Sequence, residues 1–318
     1  MIWDKVFLES GQVRPIWRFF LSAVLIFFAI LAVGVVLALI LGALDYRPSK
    51  LLLLCYSSLL LFPALLGLFK FLTASLEKKP LGSAGLAFLS GWKMDLGLGL
   101  VVGAAMILAV GGVEILFGLV EFSWGGGSAE KTVTWGVSLF VVMAIAAANE
   151  EMMFRGYPFQ RLVDAVGPVP AVGLTSVLFG LVHLSNPSVT WISTVNTMLV
   201  GVPFAVAYLR TRTLWLPIGM HFAWNFIQGF VLGLPVSGIV VPESLLRADP
   251  RGAVWLTGGA YGPEAGLLAT AIIFAVTVYL LFSRSIYIRE DTKKLVFGAK
   301  PSPPESGGST LFSMTSAD

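Results

Sequence analysis

The chain has 318 residues, of which 57% are apolar and only 12% charged, about half the charged share of an ordinary soluble domain. A mean hydropathy of +0.86 excludes a water-solvated globule and makes the bilayer the natural solvent. The formal charge of +3 is too small to suggest a nucleic-acid partner.

The opening residues 1–14 lack a basic start, short apolar core and small-residue cleavage site. They read as an amphipathic lead with Trp3 and Trp17 as interfacial anchors. Eight apolar runs follow, near 15–44, 51–74, 95–120, 133–153, 168–185, 189–209, 214–233 and 264–283. Each is about long enough to span as a helix, and lipid offers no partners for free backbone groups, so helices are the expected form. The fold expected is therefore all-α: a polytopic transmembrane helix bundle of about eight spans. The single cysteine, Cys55, falls in the second run and reads as a small packed residue.

Between the runs lie a basic loop at 75–91, a glycine-rich loop at 123–132 and a long Gly/Pro-rich segment at 235–263. The last of these reads equally as an exposed loop or as a cap over a cavity. With eight spans, 16 of the 21 Lys and Arg residues fall at one face. The positive-inside rule then puts both termini in the cytoplasm and the protein in the cell membrane. The expected organisation is the lead at 1–14, a membrane domain at 15–285 and a cytoplasmic tail at 286–318, Pro/Ser/Gly-rich and disordered from Gly298.

Ionisable residues inside membrane helices are costly and mark function. One cluster, Asn149-Glu150-Glu151 followed by Arg155, closes the fourth run. Glu151 and Arg155 are one helical turn apart and can pair. Glu150 points about 100° away and is left without a local cation. The chain's two histidines both fall in predicted spans, as Phe179-x-x-x-His183 and His221-x-x-x-Asn225. In each pair the residues share a helix face. A base, an imidazole and side-chain donors form the set that activates water and stabilises an oxyanion. No Gly-x-Ser-x-Gly elbow and no His-Glu-x-x-His zinc motif is present.

These three motifs resemble those of the CPBP family, which joins type II CAAX prenyl endopeptidases to bacteriocin-processing and immunity-type membrane proteins. The family's Glu-Glu-x-x-x-Arg, Phe-x-x-x-His and His-x-x-x-Asn/Asp appear here in order, with a motif core near 133–230. The resemblance implies an intramembrane endopeptidase acting on a membrane-embedded or lipid-anchored peptide. In it, Glu150 and His183 would activate water, and His221 and Asn225 would stabilise the oxyanion. Glu151 and Arg155 would hold the helix, while Phe179 would wall the His183 ring. A metal-free glutamate mechanism is expected, with no cofactor; the alternative is zinc on His183, His221 and Glu150. A non-catalytic immunity or assembly protein is the second reading, and a proton-coupled transporter the third. The charge count places the Glu150 end of the site toward the cytoplasmic face.

Overall fold

The computed structural model describes residues 6–9, 11–125 and 127–297; Trp3 and the tail from Gly298 lie outside them. Helices occupy all eight expected runs. The first four are α1 (Pro15–Ala43), α2 (Lys50–Glu77), α3 (Trp92–Leu116) and α4 (Ala129–Arg155). After a break come α5 (Tyr157–Val166), α6 (Pro168–Val182), α7 (Trp191–Thr211), α8 (Trp215–Phe226), α9 (Leu267–Phe282) and α10 (Glu290–Phe297). Six helical stretches are long and apolar enough to cross a membrane. The other two are shorter: α8 runs 12 residues into a five-residue π turn, Ile227–Val231, and α9 has 16.

Local sequence sets these boundaries. Ser49 and Ser128 cap α2 and α4 by accepting Leu52 N–H and Lys131 N–H. Thr190 and Ser193 form a reciprocal capping box on α7, which satisfies donors that lipid could not. Pro15 and Pro168 sit in the first turns of α1 and α6, where a missing N–H is harmless.

The tightest packing is α3 against α8. A Cβ at Gly99 or Gly103 would overlap the carbonyl oxygens of Leu216 and Met220, and one at Gly219 would lie 2.5 Å from that of Leu96. Small residues thus let two backbones touch, the usual way apolar helices associate without a hydrophobic driving force.

The two ends of the bundle differ. At one, Arg161 of α5 and Arg18 of α1 reach Glu77 of α2 at 2.9 and 3.6 Å. The α10 segment packs back there, through Lys79 Nζ donating to the Val296 carbonyl and the Arg289–Asp95 pair at 3.1 Å. A short antiparallel hairpin, β1 (Leu8–Glu9) with β2 (Gln12–Val13), leads into α1, and a second strand pair lies at the other end. There β3 (Val120–Trp124) pairs antiparallel with β4 (Leu246–Pro250). This tethers the long 235–263 segment, in which Val236, Ser237, Ile239 and Val241 line an internal cavity. The segment is therefore a cap and not a free loop.

Candidate active site

The cavity encloses about 250 Å³ and is lined by residues of α2, α4, α6, α7, α8 and the cap. Glu150, Phe179, His183, His221 and Asn225 all line it; Glu151 and Arg155 stand directly behind, fully buried. All seven residues singled out in the sequence are therefore brought to one site.

The α4 helix separates its two carboxylates as helix geometry requires. Glu151 turns into the protein, where its Oε1 accepts from Arg155 Nη1 at 3.2 Å and from His221 Nδ1 at 2.9 Å. Arg155 Nη2 also donates to the Gly201 carbonyl at 3.1 Å. Its guanidinium lies over the Phe179 and Phe204 rings, 4.5 and 5.3 Å from their centroids. A buried charge left alone would cost several kcal/mol; here a carboxylate, a carbonyl and two π faces share it. Glu151 thus does more than hold α4: it connects that helix to the imidazole of α8.

Both histidines are oriented through Nδ1. His183 Nδ1 lies 2.6 Å from the Phe179 carbonyl oxygen, which can only accept, so the proton is on Nδ1. His221 is fixed by Glu151 on one edge and stacked on Phe204 at 5.1 Å and 15°. Consequently both Nε2 atoms face Glu150, whose Oε2 lies 3.7 Å from His183 and 3.8 Å from His221. These separations exceed a direct hydrogen bond, and Oε2 is enclosed without a hydrogen-bond partner among the described residues. The Glu150 side chain as a whole is 31% exposed and lines the cavity, while its Oε2 atom is enclosed between the two imidazoles.

Among the described residues no set of three His, Cys, Asp or Glu side chains is placed to hold a metal ion.

The depth of the site follows from one further contact. Asn149 Nδ2 donates to the Ser58 carbonyl at 2.9 Å. Ser58 lies eight residues into α2, about 12 Å from its Lys50 end and about 28 Å from its Glu77 end at a helical rise of 1.5 Å. Glu150 therefore sits toward the end opposite the basic loops, not beside them. The reason is the break at Gly156, where a Cβ would lie 2.7 Å from the Phe69 ring. The α4 helix stops deep in the bundle, and α5 carries the chain on to Arg161 at the basic end.

Sequence reading missed Phe204, the Gly201 carbonyl and a second carboxylate, Glu264, in the turn before α9. Glu264 Oε2 accepts from Gln228 Nε2 at 2.7 Å, and its Oε1 from Ser237 N and Oγ at 3.1 and 3.3 Å. Burial pushes this carboxyl up to about 7, against those hydrogen bonds, which pull it down. The criterion that found Glu150, a carboxylate bordering an apolar run, would have found Glu264 too.

Residues 132–227 match the family model described as type II CAAX prenyl endopeptidase Rce1-like. The matched segment resembles an Rce1-like domain. It contains α4 through α8 almost entirely, and with them all seven motif residues, while α1–α3, the cap and α9 lie outside it. No match was found among curated proteins or among solved structures.

Proposed function

We propose that the protein is an intramembrane endopeptidase that hydrolyses a peptide bond in a membrane-embedded or lipid-anchored peptide, using water activated by Glu150 without a metal. The observation that carries this is Glu150 Oε2 facing two imidazole Nε2 atoms at 3.7 and 3.8 Å inside a membrane-depth cavity.

In this reading Glu150 takes a proton from a water that also bonds to His183 Nε2, and the oxygen attacks the substrate carbonyl carbon. His221, protonated at Nε2, and Asn225 one turn further along α8 donate to the oxyanion. Glu151 supports His221 from behind, as a buried carboxylate orients and stabilises a catalytic imidazolium. Collapse of the tetrahedral intermediate breaks the C–N bond, and Glu150 returns its proton to the leaving amine. The low-dielectric surroundings strengthen each of these electrostatic contributions.

The positive-inside rule places the Glu77–Arg161 end in the cytoplasm. The peptide would then be cut in the half of the bilayer away from the cytoplasm. The test is proteomics of membrane fractions from cells carrying wild-type or Glu150→Gln protein. A peptide cut only with wild type is expected; identical peptide profiles would remove the proposal.

A further inference from the structure

The cavity has a second polar end. Glu264 lines it together with Ser237, Asn186, Asn196 and Thr197, all contributed by the cap, by α7 or by the loop before α7. The buried Tyr261 hydroxyl makes no hydrogen bond among the described residues. Asn196 secures the turn by donating from Nδ2 to the carbonyls of Glu264 and Gly266 at 2.8 and 2.9 Å. Glu264 is thus held by the fold at two levels, through its backbone and through its carboxylate.

Its charge is not matched. Among the described residues the cavity lining contains two carboxylates, Glu150 and Glu264, but neither Lys nor Arg. Glu150 has its histidines; Glu264 has only neutral donors. Oε1 takes two of these and Oε2 one, so one acceptor site on Oε2 is uncommitted. Glutamine could keep only one side of this clasp, because its amide nitrogen would face a donor. The carboxylate charge still has no cation among the cavity-lining residues, and a basic group entering the cavity would supply one.

We propose that this end of the cavity is a recognition subsite for a basic group of the bound peptide, a lysine or arginine side chain or a free amino terminus, with Glu264 as its counter-charge. The inference rests on the reading of the cavity as a peptide site. It adds a selection rule: an otherwise apolar peptide is preferred when one cation falls at a fixed distance from the scissile bond. Glu264 acts in binding and takes no part in bond cleavage.

The test is a binding measurement on Glu150→Gln protein in nanodiscs, so that peptides stay intact. Three short fluorescent apolar peptides are compared: N-acetylated with one central lysine, the same with norleucine, and the norleucine peptide with a free amino terminus. One charge-assisted hydrogen bond predicts that a cationic peptide binds at least about tenfold more tightly than the acetylated norleucine peptide. Which of the two does so identifies side chain or terminus. Adding Glu264→Gln is expected to reduce the gap below about twofold, with norleucine-peptide affinity retained. Glu264→Asp, with the charge withdrawn, serves if the glutamine variant does not fold. No gap in the parent, or a gap that survives loss of the charge, overturns the inference. Wild-type cleavage of the same peptides is scored separately: selection without cleavage keeps the subsite and sinks the peptidase reading, and cleavage without selection does the reverse.

Discussion

Replacing Gly103 with alanine tests how His221 is held. An alanine Cβ there would overlap the carbonyl oxygen of Met220, the residue before His221, so relief requires α3 and α8 to part by roughly 1 Å. At a reacting group such a displacement costs on the order of 100-fold in rate. The overpacking costs about 1–3 kcal/mol, in opposition to the gain of about 1 kcal/mol that alanine brings to a helix interior. The same helix supplies its own control, because a Cβ at Gly112 meets nothing within 4 Å. Cys55 is the one cysteine and is buried, so a thiol-reactive dye reports unfolding without further engineering. Gly103→Ala is expected to melt roughly 2–6 °C below Gly112→Ala. Equal midpoints would refute the close-packed seam and, with it, the account of what positions His221.

Glu151→Gln keeps the side chain's size but removes the negative charge from both His221 and the buried Arg155; kcat should fall about tenfold in a peptide-cleavage assay, together with a lowered melting midpoint. Arg155→Ala leaves Glu151 buried without its cation; a loss of about 3–5 kcal/mol is expected, read as a sharply lowered melting midpoint. Cleavage activity should survive prolonged treatment with a strong chelator, and loss that zinc restores would reinstate the metal reading. For orientation, single cysteines at Ser123 and Ser90, both exposed, are introduced into a Cys55→Ser background. A membrane-impermeant maleimide on whole cells should label position 123 and spare position 90.

The bundle was legible because solvent and chain agree: eight apolar runs can only be helices in lipid, and eight helices stand there. The motif residues were legible for the opposite reason, as polar groups in the wrong solvent. Spacing on one helix, Glu150 against Glu151 or His221 against Asn225, predicted which side chains share a face. Spacing could not reveal what lies across from that face. The bond from Glu151 to His221 spans 70 residues, and Phe204 under the imidazole is indistinguishable in sequence from any other apolar position. The depth of the site was not legible at Gly156, because an apolar run does not disclose a mid-bilayer break when its second half, α5, is short and amphipathic. The pairing of β3 with β4 joins segments 126 residues apart and has no local signature.

The burial of Arg155 bears on how the protein is made. Its local partner, Glu151, is present as soon as α4 leaves the ribosome, one helical turn away. The Gly201 carbonyl and the Phe204 ring come 46 and 49 residues later in the chain, and His221, which completes the Glu151 bond, later still. For that interval α4 must enter the bilayer with its guanidinium held by one carboxylate alone. A nascent chain stalled before α7 would expose a half-neutralised arginine to lipid or to the insertion machinery, where a chaperone or a membrane protease could recognise it. The helix that carries Glu150 is therefore also a segment whose assembly the cell has reason to supervise.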